Sequence, residues 1–148
     1  MRAGEIAALN VSDVYGTDGR VEKEIRLSST HTKGSEARTA LLNATAQEET
    51  SLYARTLSRE VEQPPFVSKC GKQMCANSLG QVFGRFYKLA GLSNASSHSG
   101  RRSFLTGLAH RGANVRVLAA LAGQKNISTT QRYIEVGEHQ LHAEVEIA

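Results

Sequence analysis

The sequence predicts an α+β fold: a mostly helical domain with a small antiparallel sheet near its N-terminus. Three observations carry that expectation. Two turn signals, Gly16-Thr17-Asp18-Gly19 and Thr32-Lys33-Gly34-Ser35, bracket short extended runs early in the chain. Apolar residues through most of the remaining chain recur at helical rather than alternating spacing. A length of 148 residues suits one domain, which buries roughly two-thirds of its unfolded surface without staples.

Taken in order, Ile6, Ala7 and Leu9 place a helix over about Ala3 to Asn10, with position 2 in or beside its first turn. Val21, Ile25 and Leu27 form an extended run after the first turn, and Arg38 to Leu42 is the returning strand of a hairpin. A helix from Asn43 to Val61, capped by Asn43 or Thr45, carries Leu52, Tyr53 and Leu57 on one face until Gln63-Pro64-Pro65 breaks it. Phe66-Val67 is a short buried extension, and Lys69 to Lys72 is a polar turn. Helices are then expected over Ala76 to Ala90, Gly100 to His110, Asn114 to Ala122, Thr129 to Ile134 and Glu138 to Glu146.

Composition narrows the class. The 40% hydrophobic and 22% charged content is that of a soluble globular chain. Cys70 and Cys75 are too few for a disulfide framework or a structural zinc site, and read as reduced thiols beside a turn. No run reaches transmembrane length and the N-terminus is no signal peptide, so a cytoplasmic location is expected. Charge is polarised. Between Gln63 and Ile134 there is no acidic residue, whereas ten basic ones occur, from Lys69 and Lys72 to Lys125 and Arg132. Against that +10, the remainder is net negative by about six, because it holds all fourteen acidic residues and the other eight basic ones. Such a chain can present a positive face to a polyanion.

Within the basic stretch, His98-Ser99-Gly100-Arg101-Arg102 is followed by Ile127-Ser128-Thr129-Thr130-Gln131-Arg132-Tyr133. Breaking a phosphodiester without metal needs a nucleophile, cations for the pentacoordinate transition state, and an acid for the leaving oxygen. Tyr133 can attack, and Arg101 can bind two phosphate oxygens without ever losing its charge. His98, three residues earlier on the same side of a helix start, can exchange a proton with phosphate or phenol. Lys33, at a hairpin tip, can reach a leaving oxygen. Each has an ordinary reading when taken alone: a packed tyrosine, a surface arginine, a histidine beside a helix cap, a solvated turn lysine.

Together they resemble something specific. His98-x-x-Arg101, then Ala122-Gly123 leading to Ile127 through Tyr133, resembles the C-terminal signature of the tyrosine recombinase or phage integrase family. Met1-Arg2-Ala3-Gly4-Glu5-Ile6 is similar to the segment carrying that family's first catalytic arginine, with an acidic residue three positions later. Thr32-Lys33-Gly34 before Arg38-Thr39 matches the hairpin that carries its lysine. The motifs stand in family order across nearly the whole chain.

The resemblance implies a role for each position. Tyr133 would attack the scissile phosphate, leaving a 3′-phosphotyrosyl link and a free 5′-hydroxyl. Arg2 and Arg101 would clamp the non-bridging oxygens, Lys33 would protonate the 5′-oxygen, and His98 would manage the phenolic proton. Glu5 would hold an active-site arginine or histidine from behind. Arg102, Lys125, Arg132, Lys69 and Lys72 would contact the DNA backbone. No metal or other cofactor is implied. Double-stranded DNA is the implied partner, and a tetramer on DNA is implied for the full-length protein, through a C-terminal helix at 138–146 whose Leu141 and Val145 share a face. That helix can equally fold back on its own domain.

Two departures bear on activity. Family members carry a histidine, sometimes a tryptophan, after the glycine at Gly123, where this chain has Gln124. A glutamine amide donates a hydrogen bond but exchanges no proton, so a slower enzyme is expected. The second departure is the start: residues 1–148 correspond to a catalytic domain lacking its first helices and the DNA-clamping domain that precedes it in the family. The alternatives are a type IB topoisomerase-like nicking and resealing activity, a catalytically weak or inactive DNA-binding remnant, and a helical interaction domain that never touches DNA.

Overall fold

The structure, a computed structural model, describes residues 1–29, 37–57, 63–124, 126, 128 and 130. Two compact units divide the chain, Met1–Ser97 and His98–Ala148.

The first unit opens with α1 (Ala3–Ala7) and α2 (Val11–Val14), followed by β1 (Glu24–Leu27), β2 (Arg38–Leu41), α3 (Ala44–Ala54) and α4 (Ala76–Leu89). The single helix expected over Ala3 to Asn10 is thus shorter, and a second begins where it was expected to end. The Leu9 amide bonds back to the Ile6 carbonyl, tightening the chain out of the α-helix. Asn10 then starts the next turn, its amide donating to the Asp13 carboxylate at 2.8 Å.

The hairpin is antiparallel as expected, with Ile25 opposite Ala40 and Leu27 opposite Arg38. Side chains alternate across a strand, so Ile25 and Leu27 point inward while Glu24 and Arg26 face water. Ala40 and Arg38 share the inner face of β2. Leu9, Val14, Ile25, Leu27 and Ala40 form the core of this unit, with Met1, Tyr15, Val21 and Leu42 packed around it. Leu9, just after α1, and Val14 of α2 therefore supply the apolar surface that the inner face of the hairpin needs to bury. The start of α4 lies against α1, where Gln73 Nε2 donates to the Ala7 carbonyl at 2.8 Å.

The α3 helix departs from expectation. Asn43 caps it, accepting from the Ala46 amide at 2.8 Å. It ends at Ala54 rather than Val61, because Thr56 turns both its amide and its hydroxyl onto the Tyr53 carbonyl; residues 58–62 lie outside the described set. No residue of α3 is buried, so the expected apolar face on Leu52 and Tyr53 is exposed. Tyr53 instead stacks on Phe66, with ring centroids 5.6 Å apart, and donates to the Pro65 carbonyl at 2.8 Å. Val67, expected to be buried, is exposed: it bridges Gln73 in a tight turn, and the buried residue of that stretch is Pro65.

In the second unit, α5 (Ser99–His110) and α6 (Val115–Ala122) match the expected helices within a residue. Leu105 and Ala109 on α5 meet Leu118 and Ala122 on α6, each pair one helical turn apart. Between them Gly112 adopts φ +81°, which lets the Ala113 amide return to the Leu108 carbonyl and closes α5. Ser128 and Thr130 are helical, in line with a helix near 129–134, but the rest of that segment and 138–146 lie outside the described residues. No helix among the described residues is long and apolar enough to cross a membrane.

Neighbouring residues on α5 should respond oppositely to truncation. Leu105 is 1% exposed and Phe104 is 55% exposed. Leu105→Ala is expected to cost about 2–5 kcal/mol in urea unfolding, whereas Phe104→Ala should change stability by no more than about 0.5 kcal/mol. Equal losses would contradict the assignment of the inner face.

Candidate functional site

Arg2 precedes α1, and Glu5 sits one turn into it on the side that faces the hairpin. That placement puts the Glu5 carboxylate, 2% exposed, beneath the inner face of β2. Four N–H groups fill it. Oε2 accepts from the Arg2 amide at 2.6 Å and from Arg38 Nη2 at 2.6 Å. Oε1 accepts from Arg2 Nη1 at 3.2 Å and from Arg38 Nε at 3.3 Å. Two carboxylate oxygens offer about four acceptor sites, so the group is saturated. Burial by itself pushes the Glu5 carboxyl up, but the hydrogen bonds from Arg38 and the Arg2 amide, with both positive charges, outweigh it and hold the group below its ordinary value of 4.5.

Of the two expected partners for Glu5, arginine or histidine, the structure supplies the arginine Arg2. It also supplies Arg38, to which the sequence alone gave no role. The signal for it was present but not decisive: an arginine at an inward position of β2 must find an anion or be excluded from the core.

In the second unit, His98 is exposed at the N-cap of α5, and Arg101 stands in the first turn of that helix. Arg101 Nη2 donates to the Ala122 carbonyl at the end of α6. Those two helices pack through Leu105 and Leu118, so the arginine is held on a rigid mount. Gly123 closes α6 at φ +58°, a left-handed conformation that glycine adopts without penalty, and sends the chain on to Gln124. Gln124 is half-buried, and its Oε1 accepts from the Thr130 hydroxyl at 2.7 Å. Thr130 is fully buried, so this bond satisfies a polar group that would otherwise cost stability. Arg102, Lys69 and Lys72 are exposed, as backbone-contacting residues would need to be. Lys33, Lys125, Arg132 and Tyr133 lie outside the described residues.

Two of the other tyrosines are occupied. Tyr15 donates to the Thr50 carbonyl at 3.0 Å, and burial, with a contribution from Tyr53, pushes its phenol up. Tyr53 is bound to Pro65 and likewise raised by burial. Neither is suited to attack as a phenolate.

Comparison with known proteins gives a consistent outcome. A model described as the phage integrase family matches residues 1–140. A tyrosine recombinase XerC from Treponema denticola is 26% identical over 156 aligned positions, covering 95% of this chain and 49% of that protein. One from Vibrio atlanticus is 31% identical over 137, covering 90% and 42%. The chain therefore spans about half the length of the curated relatives that it matches. Among solved structures, XerA recombinase superposes with a TM-score of 0.75 at 22% identity, over 97% of this chain and 50% of its own. The Tn1549 transposon integrase in complex with transposon right end DNA gives 0.71 at 19%, over 99% and 54%. The fold is shared with both.

The Glu5 arrangement predicts how stability depends on pH. A carboxyl lowered on folding stabilises above its unfolded value, and that contribution is lost as pH falls through the lower folded one. Below about pH 4.5 the wild-type protein should lose stability more steeply than Glu5→Gln, which lacks the titrating group. At neutral pH the variant should be less stable by about 3 kcal/mol, having left Arg38 without its anion. Parallel pH profiles in chemical unfolding would contradict this.

Proposed function

Because the chain belongs to the phage integrase family, we propose that it is the strand-cleaving and strand-rejoining part of a site-specific DNA recombinase. In this reading residues 1–148 are a catalytic domain, duplex DNA is the substrate, and a segment at 138–146 joins copies on DNA in the full-length protein. The observation that carries the reading is that each candidate phosphate-binding arginine is anchored by an acceptor on its own unit. Glu5 holds Arg2, and the Ala122 carbonyl holds Arg101. Anchored guanidiniums supply preorganised charge to a transition state without reorganisation at the moment of reaction.

The chemistry is a transesterification. The Tyr133 oxygen forms a bond to phosphorus as the bond from phosphorus to the 5′-oxygen breaks. His98 receives the phenolic proton and Lys33 gives one to the departing 5′-oxygen, while Arg2 and Arg101 neutralise the non-bridging oxygens. One phosphoester replaces another, so the link stores the energy for a second strand's 5′-hydroxyl to reverse the step. No energy source or metal enters the balance. The exposed Lys69, Lys72 and Arg102, with Lys125 and Arg132, supply counter-charge along the DNA backbone, which makes binding salt-dependent. Gln124 donates a hydrogen bond in place of the family's histidine.

A nicked duplex that traps covalent intermediates, carrying candidate attachment sequences, tests the reading in the absence of metal. Wild type should form a protein–DNA adduct, and Tyr133→Phe should reduce it at least about 10³-fold. Gln124→His should accelerate adduct formation roughly tenfold or more by restoring a proton-exchanging group. An adduct unaffected by Tyr133→Phe would overturn the assignment of the nucleophile. Absence of any adduct, with salt-sensitive binding retained, would leave a DNA-binding remnant.

A further inference from the structure

We propose that Arg38 is a positioning residue for Arg2: it holds Glu5 through both carboxylate oxygens, so that Glu5 aligns Arg2 without neutralising it. The proposal rests on the reading of Arg2 as a phosphate ligand. Three observations support it, and all come from described residues of the first unit.

The first is the geometry. Arg38 engages Glu5 as a fork, Nη2 on one oxygen at 2.6 Å and Nε on the other at 3.3 Å. Arg2 reaches the carboxylate with one side-chain nitrogen, at 3.2 Å. The fork is the stronger and more directional of the two arrangements. The second is burial. The Arg38 side chain is 14% exposed and that of Arg2 is 29% exposed, so the inner arginine takes the anion and the outer one keeps more contact with solvent. The third is the mount. Arg38 begins β2 opposite Leu27, on the inner face beside Ala40, so the sheet ladder fixes its backbone.

Charge arithmetic then assigns its function. Two guanidiniums and one carboxylate sum to +1, and that excess lies at Arg2 because Arg38 is the better paired. Without Arg38, a buried carboxylate would have one cation within reach. Arg2 would turn its own fork onto both Glu5 oxygens, spending the donors and the charge that a phosphate requires. A purely structural staple between β2 and α1 has no such consequence, and the two roles diverge when both partners are removed.

The test follows the Arg2 side-chain Nε–H signal by NMR, assigned by its loss in Arg2→Lys, during titration with inorganic phosphate at low ionic strength. Wild type should respond saturably. Arg38→Gln should weaken the phosphate affinity at least about tenfold. Glu5→Gln combined with Arg38→Gln should recover most of that loss, because the competing carboxylate is gone. Arg38→Lys, which keeps the charge but not the fork, should be intermediate and serves if Arg38→Gln fails to fold. A double variant binding phosphate no better than Arg38→Gln would overturn the proposal, as would wild-type affinity in Arg38→Lys and Arg38→Gln. The adduct assay on the same proteins keeps the two claims apart. An Arg2 response that depends on Arg38 without any wild-type adduct would retain the positioning role and remove the recombinase reading. A wild-type adduct whose rate ignores Arg38 would do the reverse.

Discussion

A single buried carboxylate constrains the first half of this molecule. Glu5 is charged, 2% exposed, and enclosed between the start of α1 and the inward arginine of β2. A bare carboxylate there would cost several kcal/mol or more, so everything that touches it must be placed to satisfy it. The Arg2 amide supplies a helix-start bond, which fixes where α1 begins. Arg38 supplies a fork, which requires β2 to present position 38 inward. A slip of one residue in strand register would turn Arg38 to solvent and bring Thr39 in. The helix start, the strand register and the orientation of Arg2 are therefore one requirement seen from three sides.

The second unit solves a comparable problem differently. Arg101 has a neutral anchor, the carbonyl of Ala122, at a helix end where backbone acceptors lack intrahelical partners. Leu105, Ala109, Leu118 and Ala122 hold the two helices together, so the arginine's position follows from apolar packing. This difference matches the charge distribution. The stretch from Pro64 to Tyr133 contains no acidic residue, and the Ala122 carbonyl that Arg101 donates to is a dipole, which by itself cancels none of the guanidinium's charge.

Much of this was legible in the sequence, and the reasons for the rest are physical. The hairpin, its inward Ile25 and Leu27, and the helices carrying Arg101 and Leu118 follow from spacing and turn chemistry that act locally. The break after α1 was also written locally, as Asn10-Val11-Ser12-Asp13, a capping pattern that the helical spacing of Ile6 and Leu9 masked. Arg38 was harder to read. Its partner lies 33 residues away, and which strand positions face inward depends on a register that no local pattern states. The α3 helix failed for the opposite reason: Leu52 and Tyr53 have the spacing of a core face, but Tyr53 is taken by Phe66 and Pro65. The roles of Lys33 and Tyr133 rest on family resemblance together with the chemistry of their side chains.

The measurement that bears most directly on the central claim is mass spectrometry of protein trapped on a nicked duplex and digested with trypsin. Arg132 immediately precedes Tyr133 and no lysine or arginine comes after it, so cleavage there releases residues 133–148 as one peptide. Tyr15, Tyr53 and Tyr87 fall on other peptides. The account requires a nucleotide mass on peptide 133–148, localised to Tyr133, with a free 5′-hydroxyl on the released strand. A nucleotide on any other tyrosine, or a strand released with a 5′-phosphate, would contradict it.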